Sequence, residues 1–174
     1  MSIITRQGDK GKTSLFPRGI VAKDDLRIEL VGTLDELTAF LGVVRSMAPG
    51  RRLKGDVQAL QKEIFWVSAE AVTPVAQLKK LRRRIAAADV ARVERAIRAL
   101  EKKAGRGKRC FKTPGRDPVC AMLHVCRSLC RRAERRMITL KRKKKLKNDA
   151  MFLYINRLSD LLFLMAQERQ GKGR

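Results

Sequence analysis

The stretch Val119-Cys-Ala-Met-Leu-His-Val-Cys-Arg-Ser-Leu-Cys-Arg-Arg-Ala-Glu-Arg-Arg-Met137 decides the fold class. Val119, Met122, Leu123, Leu129, Ala133 and Met137 recur at three- and four-residue intervals, the spacing of one buried helix face. Pro114-Gly115 precedes this helix and the run Lys141-Arg142-Lys143-Lys144-Lys145 follows it. Beyond that run, a further helix is expected from Asp149 to Gln170. Upstream, Val90, Val93, Ile97 and Leu100 form the inner stripe of a helix capped by Asp89. Val57, Leu60, Gln61, Ile64 and Val67 form that of a helix from Leu53 to Val72. Thr33-Leu-Asp-Glu36 has the spacing of a capping box. It is read as the start of a helix carrying Leu37, Phe40, Leu41 and Val44 and stopping near Pro49-Gly50. The expectation is an all-α, antiparallel five-helix bundle in one domain spanning 1–174, because short connections leave consecutive helices side by side. The first 32 residues, broken by Gly8, Gly11, Pro17 and Gly19, read as an extended or looped segment.

The chain has 174 residues, 44% hydrophobic and 33% charged, a composition that argues against disorder throughout. No apolar run is long enough to span a bilayer, and the start lacks a signal-peptide core, so a soluble, cytoplasmic protein without membrane association is expected. Forty-one Lys and Arg oppose 17 Asp and Glu, a net charge of +24. The excess is regional: residues 1–75 carry net +2 and the remainder +22. Clusters at 79–84 and 141–147 mark either solvated helix ends or a polyanion surface.

Cys110, Cys120, Cys126 and Cys130 include no CxxC pair, and two of them lie four apart on one helix, so core thiols are expected rather than a disulfide. With His124 they form only a weak metal candidate, since ligands on adjacent turns need a second segment to complete a tetrahedron. Gly8-Asp9-Lys10-Gly11-Lys12-Thr13 fails the spacing of a Walker A loop. Its two glycines still allow backbone N–H groups to approach one anion, with Arg6, Thr13, Ser14 and Lys23 as side-chain donors. On the fourth helix Arg127, Arg131, Glu134 and Arg135 share a face, and guanidinium forks suit phosphate oxygens. Asp35 is a candidate carboxylate partner for one of them. Asn156 and Asp160 share a face of the fifth helix, as packing contacts or as part of a ligand site.

In order along the chain, Thr5-Arg-Gln-Gly8-Asp9-Lys-Gly11, Lys23-Asp24-Asp25, Gly32-Thr-Leu-Asp35-Glu36-Leu37, Phe111 before Pro114-Gly115, Leu123-His124-Val-Cys-Arg127, Cys130-Arg131-Arg132-Ala133-Glu134-Arg135 and Tyr154-Ile-Asn156-Arg157-Leu158-Ser159-Asp160-Leu-Leu-Phe163 resemble the propanediol-utilisation type of ATP:cob(I)alamin adenosyltransferase (corrinoid adenosyltransferase). The resemblance covers nearly the whole chain. It implies a homotrimer with active sites between subunits, in which cobalt(I) of a reduced corrinoid attacks the 5′ carbon of ATP, giving adenosylcobalamin and triphosphate. It assigns Thr5, Arg6, Gln7, Gly8, Thr13, Ser14 and Lys23 to ATP, completed by Arg131, Arg132, Ala133, Glu134, Arg135 and Asn156 of the facing subunit. It makes Asp35 and Arg127 an intersubunit ion pair and sets Phe111 against the lower face of the corrin. Mg²⁺ is expected with ATP, without a metal site of protein side chains alone. A reductase and an adenosylcobalamin-dependent enzyme are the implied partners. The chain departs from the family in reading Arg116-Asp117 after Pro114-Gly115, where Gly-Ser is usual, and in its very basic 141–147 stretch. Two other readings compete: a basic helical nucleic-acid-binding protein, and an inactive trimeric ATP-binding regulator.

Overall fold

The computed structural model describes residues 4, 6, 8–15, 19–104, 113–115 and 117–171. A short antiparallel hairpin, β1 (Lys12–Ser14) and β2 (Ile20–Ala22), pairs Lys12 with Ala22, Thr13 with Val21 and Ser14 with Ile20. Five helices follow: α1 (Leu26–Met47), α2 (Arg51–Val72), α3 (Ala87–Ala104), α4 (Pro118–Arg142) and α5 (Asp149–Gly171), with a 3₁₀ segment at Val75–Lys80.

The order of packing is α2, α1, α4, α5, α3, because α1 packs on α2 and α4, and α5 on α4 and α3. The short connections behave as expected: Ala48-Pro49-Gly50 turns α1 onto α2, and residues 143–148 turn α4 onto α5. The links into and out of α3 are longer, and α3 settles against α5 instead of α4. The core is the expected set of stripes. Leu30, Leu34, Leu37, Leu41 and Val44 of α1 meet Leu123, Cys126, Cys130 and Met137 of α4 and Ile155, Leu158 and Leu162 of α5 in one buried cluster. Cys120, Cys126 and Cys130 are buried free thiols, as expected; Cys110 lies outside the described residues. Burial pushes the Cys126 thiol up to about 12 and raises Cys130 further. Protonated sulfur is a poor metal ligand. Among the described residues no group of three His, Cys, Asp or Glu could hold a metal ion.

Two helix starts differ from the reading above. α1 begins at Leu26, seven residues before the apparent capping box. Asp25 is the N-cap, its Oδ1 accepting from the Arg27 N–H at 2.8 Å, and Gly32 is carried inside the helix. The surrounding Leu30 and Leu34 supply enough burial to outweigh a glycine's cost of about 1 kcal/mol. Thr33 instead donates its hydroxyl to the Glu29 carbonyl at 2.9 Å. In α3, Asp89 lies within the first turn and reaches back to accept from the Ala86 N–H at 2.8 Å, while also pairing with Arg83. The reach-back is the second half of a capping box, made by a residue inside the helix.

The N–H of Arg27, helped by the Lys145 ammonium at 3.2 Å, holds the Asp25 carboxyl below its ordinary range despite partial burial. A carboxylate held low contributes stability that is present above its unfolded pKa and is lost as pH falls through the folded one. Melting temperature is therefore expected to drop below about pH 4. Asp25→Ala should lower it by the equivalent of about 1 kcal/mol at neutral pH and flatten the acid limb. An unchanged acid limb would exclude Asp25 as a contributor.

Candidate active site

The hairpin and the start of α1 build a small cationic turn. Gly11 takes a positive φ of 70°, which closes the turn so that its N–H donates to the Gly8 carbonyl at 3.3 Å and its own carbonyl accepts from the Lys23 N–H at 2.9 Å. Lys23 folds back across the turn: a Cβ on Gly8 would lie 3.1 Å from the Lys23 ammonium nitrogen. A side chain at position 8 would therefore displace that charge. Arg6 has φ of 55°, an uncommon conformation for a residue with a side chain. Thr13 is half-buried in β1, and Ser14 is exposed beside it. Thr5, Gln7 and Phe111 lie outside the described residues.

The second group lies on α4 and α5. Arg131 and Arg135 are exposed and have no carboxylate partner among the described residues, whereas Arg132 pairs with Glu36 of α1 at 3.3 Å. Ala133 faces the core with no exposed surface, so within this cluster it packs while its neighbours project. Asn156 donates from Nδ2 to Glu134 Oε1 at 2.8 Å and accepts at Oδ1 from Arg157 at 2.9 Å. Arg157 is anchored in turn by Glu94 of α3 at 3.1 Å. The Asn156 amide thus has one orientation, fixed from both ends. Asp160, on the same side of α5, instead borders a shallow groove of about 290 Å³ with Glu94, Ile97 and Arg157.

Asp35 and Arg127 do not pair within the chain. Arg127 Nε is buried without an acceptor, and Asp35, on the outer side of α1, has its carboxyl raised by desolvation. The buried Arg127 Nε is thus a donor without a partner among the described residues, whereas Asp35 is exposed to solvent. No hydrogen bond or ion pair among the described residues joins the hairpin to Arg131 or Arg135 within one chain.

Residues 3–168 match the family model described as cobalamin adenosyltransferase. The chain belongs to the cobalamin adenosyltransferase family. It is 40% identical over 165 residues to a corrinoid adenosyltransferase of Citrobacter freundii, covering 95% of this chain and 93% of that protein. It is 38% identical over 168 residues to the corrinoid adenosyltransferase PduO of Salmonella typhimurium, covering 96% of this chain but only 49% of that longer protein. A solved structure of a variant PduO-type ATP:corrinoid adenosyltransferase from Lactobacillus reuteri, complexed with cobalamin and ATP, superposes with a TM-score of 0.86. It is 26% identical in sequence, and the match covers 98% of this chain and 94% of that one.

In this adenosyltransferase-family chain, reading the sequence missed the supports behind the site. Arg157 was visible only as a neighbour of Asn156, and its anchor Glu94 lies 63 residues away. Glu36 looked like the far end of a capping box and instead holds Arg132. His124 belongs to no group of three candidate metal ligands among the described residues; burial, then the charge of Arg127, lowers its pKa, and its ring meets Phe163 edge-on at 6.1 Å.

Proposed function

We propose that the protein transfers the 5′-deoxyadenosyl group of ATP to cobalt(I) of cobalamin or a related corrinoid, releasing triphosphate. The observation that carries this reading is the Lys23 ammonium folded over the Gly8–Gly11 turn, a preformed anion cradle in a chain of this family. Cobalt(I), part of the substrate, supplies the electron pair. The cobalt–carbon bond forms as the bond from C5′ to the triphosphate oxygen breaks, and the pair on that oxygen departs with triphosphate. No proton is transferred, so no general base is required. The protein's task is to align the reactants and stabilise the charge that grows on the leaving group.

Lys23, with Thr5, Arg6, Gln7, Gly8, Thr13 and Ser14, binds the triphosphate; Arg131 and Arg135 of the facing subunit supply guanidinium forks at its far side. Glu134 and Asn156 orient the nucleoside, and Ala133 keeps the helix packed beneath them. Mg²⁺ would come with ATP and help neutralise the charge on the leaving triphosphate. Phe111 covers the lower corrin face, where an apolar ring suits exclusion of the axial base. The assembly is a homotrimer. Its support within one chain is the buried Arg127 Nε, which has no acceptor among the described residues and which Asp35 of a neighbouring subunit would pair. A cytoplasmic reductase supplies cobalt(I), and an enzyme dependent on adenosylcobalamin consumes the product. Among the described residues, no helix is long and apolar enough to cross a membrane.

The test is anaerobic incubation with ATP and reduced cobalamin. Adenosylcobalamin and triphosphate should accumulate in equal amounts. Nucleotide binding without either product would make the protein a non-catalytic ATP binder. Asp35→Asn and Arg127→Ala should each weaken trimer assembly or corrin handling while leaving ATP affinity within about threefold, because each removes one side of the proposed intersubunit pair and neither is placed on the nucleotide. ATP titration and sedimentation measure the two effects; intact trimers with parental corrin kinetics would rule out the pairing.

A further inference from the structure

The two basic runs, more than 50 residues apart in sequence, meet at one end of the bundle. Asn148, directly after Lys147, donates to the Ile85 carbonyl at 2.9 Å and to Glu70 Oε2 at 3.0 Å. Glu70 Oε1 accepts from Arg84 at 2.7 Å. One buried carboxylate therefore ties the end of the 79–84 run to the end of the 141–147 run.

Each run divides into structural and unpaired cations. Arg83 pairs with Asp89 and lies 4.8 Å over the Trp66 ring; Lys141 pairs with Asp149 at 2.6 Å and lies 4.7 Å over Phe152; Lys145 pairs with Asp25. These contacts occupy Glu70, Asp89, Asp149 and Asp25. Lys79, Lys80 and Arg82 on one side, and Arg142, Lys143, Lys144 and Lys147 on the other, are exposed with no carboxylate partner among the described residues. The turn that presents the second group is ordered: the Lys145 N–H reaches back to the Leu140 carbonyl at 2.9 Å, and Lys144 takes φ of 57°, where glycine is usual.

We propose that this end of the bundle docks the phosphate backbone of double-stranded nucleic acid. Charge complementarity selects a polyanion. A second copy of the chain is a poor occupant, because 17 acidic residues against 41 basic ones leave it no comparable acidic face. The nearby aromatics select a duplex over a single strand. Trp66 and Phe152 are each covered by a cation, and the one open ring beside them, Phe65, does not make the succession of stacking platforms that a single strand uses. Recognition would be of backbone charge, independent of sequence. None of the seven unpaired cations is assigned to ATP or corrin, so the surface stands whether or not the catalytic reading does.

The test uses the full chain and a short mixed-sequence DNA duplex, with binding followed by fluorescence anisotropy between about 50 and 200 mM salt. Each phosphate neutralised contributes about 0.9 to the slope of log affinity against log salt. Replacing Arg142, Lys143 and Lys147 with Gln should therefore reduce that slope by about 2 to 3 and weaken binding at least about tenfold at the low-salt end. The control is Arg51/Arg52/Lys54→Gln, which removes the same charge from the opposite end of α2, about 33 Å away at 1.5 Å per residue. It should weaken binding by less than about threefold, since screened distant charges contribute little. Lys79/Lys80/Arg82→Gln is a second route to the same loss should the first variant fold poorly. The proposal is overturned by no binding at low salt, or by equal losses in patch and control variants, which would make the effect one of net charge. Equal or tighter binding of polyglutamate or anionic vesicles would also overturn it, in favour of an acidic polypeptide or a membrane. So would unchanged duplex affinity with a raised KM for ATP, which would identify the patch as a steering field for the substrate.

Discussion

Arg131→Ala should reduce kcat/KM for adenosyl transfer by about 10² to 10³ while leaving the melting temperature close to that of the parent. The two halves of this expectation have separate causes. Arg131 is exposed on α4 and has no ion pair among the described residues, so its removal leaves no buried group unsatisfied. Alanine is also a slightly better helix former at such a position. Under the proposed function Arg131 faces triphosphate, the anion that this reaction produces. Its charge increases on the leaving oxygen as the carbon–oxygen bond breaks. A fork placed there is worth more in the transition state than in the bound ground state, so the loss should appear in kcat as well as in KM. Arg131→Lys keeps the charge but gives up paired hydrogen bonds and should recover only part of the activity. Anaerobic single-turnover spectra with saturating ATP measure the chemical step, and calorimetric titration measures nucleotide affinity. Parental turnover in Arg131→Ala would remove this residue from the site.

The interior of this fold was legible in the sequence because burial imposes periodicity. The stripes through Leu37 and Leu41, Val57 to Val67, Val90 and Val93, and Val119 to Met137 all face inward. Helix starts were less legible. A cap depends on which residue the chain reaches first with a free side chain, and Asp25 precedes the more conspicuous Thr33. The candidate site was legible as residue types at fixed spacing: Gly8 and Gly11 for the turn, Lys23 over it, and the arginines of α4. Its supports were not, because Glu36–Arg132 and Glu94–Arg157 join positions 96 and 63 apart. The basic runs were half legible. Their charge was plain, but only the folded chain shows that Arg83, Arg84, Lys141 and Lys145 hold helix ends while their neighbours remain free.

Glu63→Ala should be the most damaging substitution for stability among those considered, lowering the melting temperature by about 10 °C with little effect on turnover at low temperature. Glu63 is buried on α2, where it accepts from the Tyr154 hydroxyl of α5 at 2.5 Å and pairs with Arg92 of α3. α2 and α3 otherwise have few contacts, so one carboxylate joins three helices. Tyr154 is completely buried. Removing its acceptor leaves a hydroxyl with no water to replace the lost bond, a cost of about 1 to 3 kcal/mol, to which the vacated volume adds. Arg92 is 40% exposed and keeps much of its hydration, so its lost ion pair contributes less than a fully buried one. Together these give about 3 kcal/mol, and a domain of this length loses about 2 to 4 °C for each. Glu63→Gln keeps an acceptor and should cost less, and Glu63→Leu with Tyr154→Phe should recover part of the loss by removing both polar partners. The pH dependence offers an independent check. Burial, and then the Glu63 charge, raise the Tyr154 pKa well above its usual value. The unfolded tyrosine therefore releases its proton first, and stability falls as pH rises beyond about 10. Tyr154→Phe should remove that contribution to the alkaline slope. A Glu63→Ala protein that melts within about 2 °C of the parent would show that the three helices do not depend on this carboxylate.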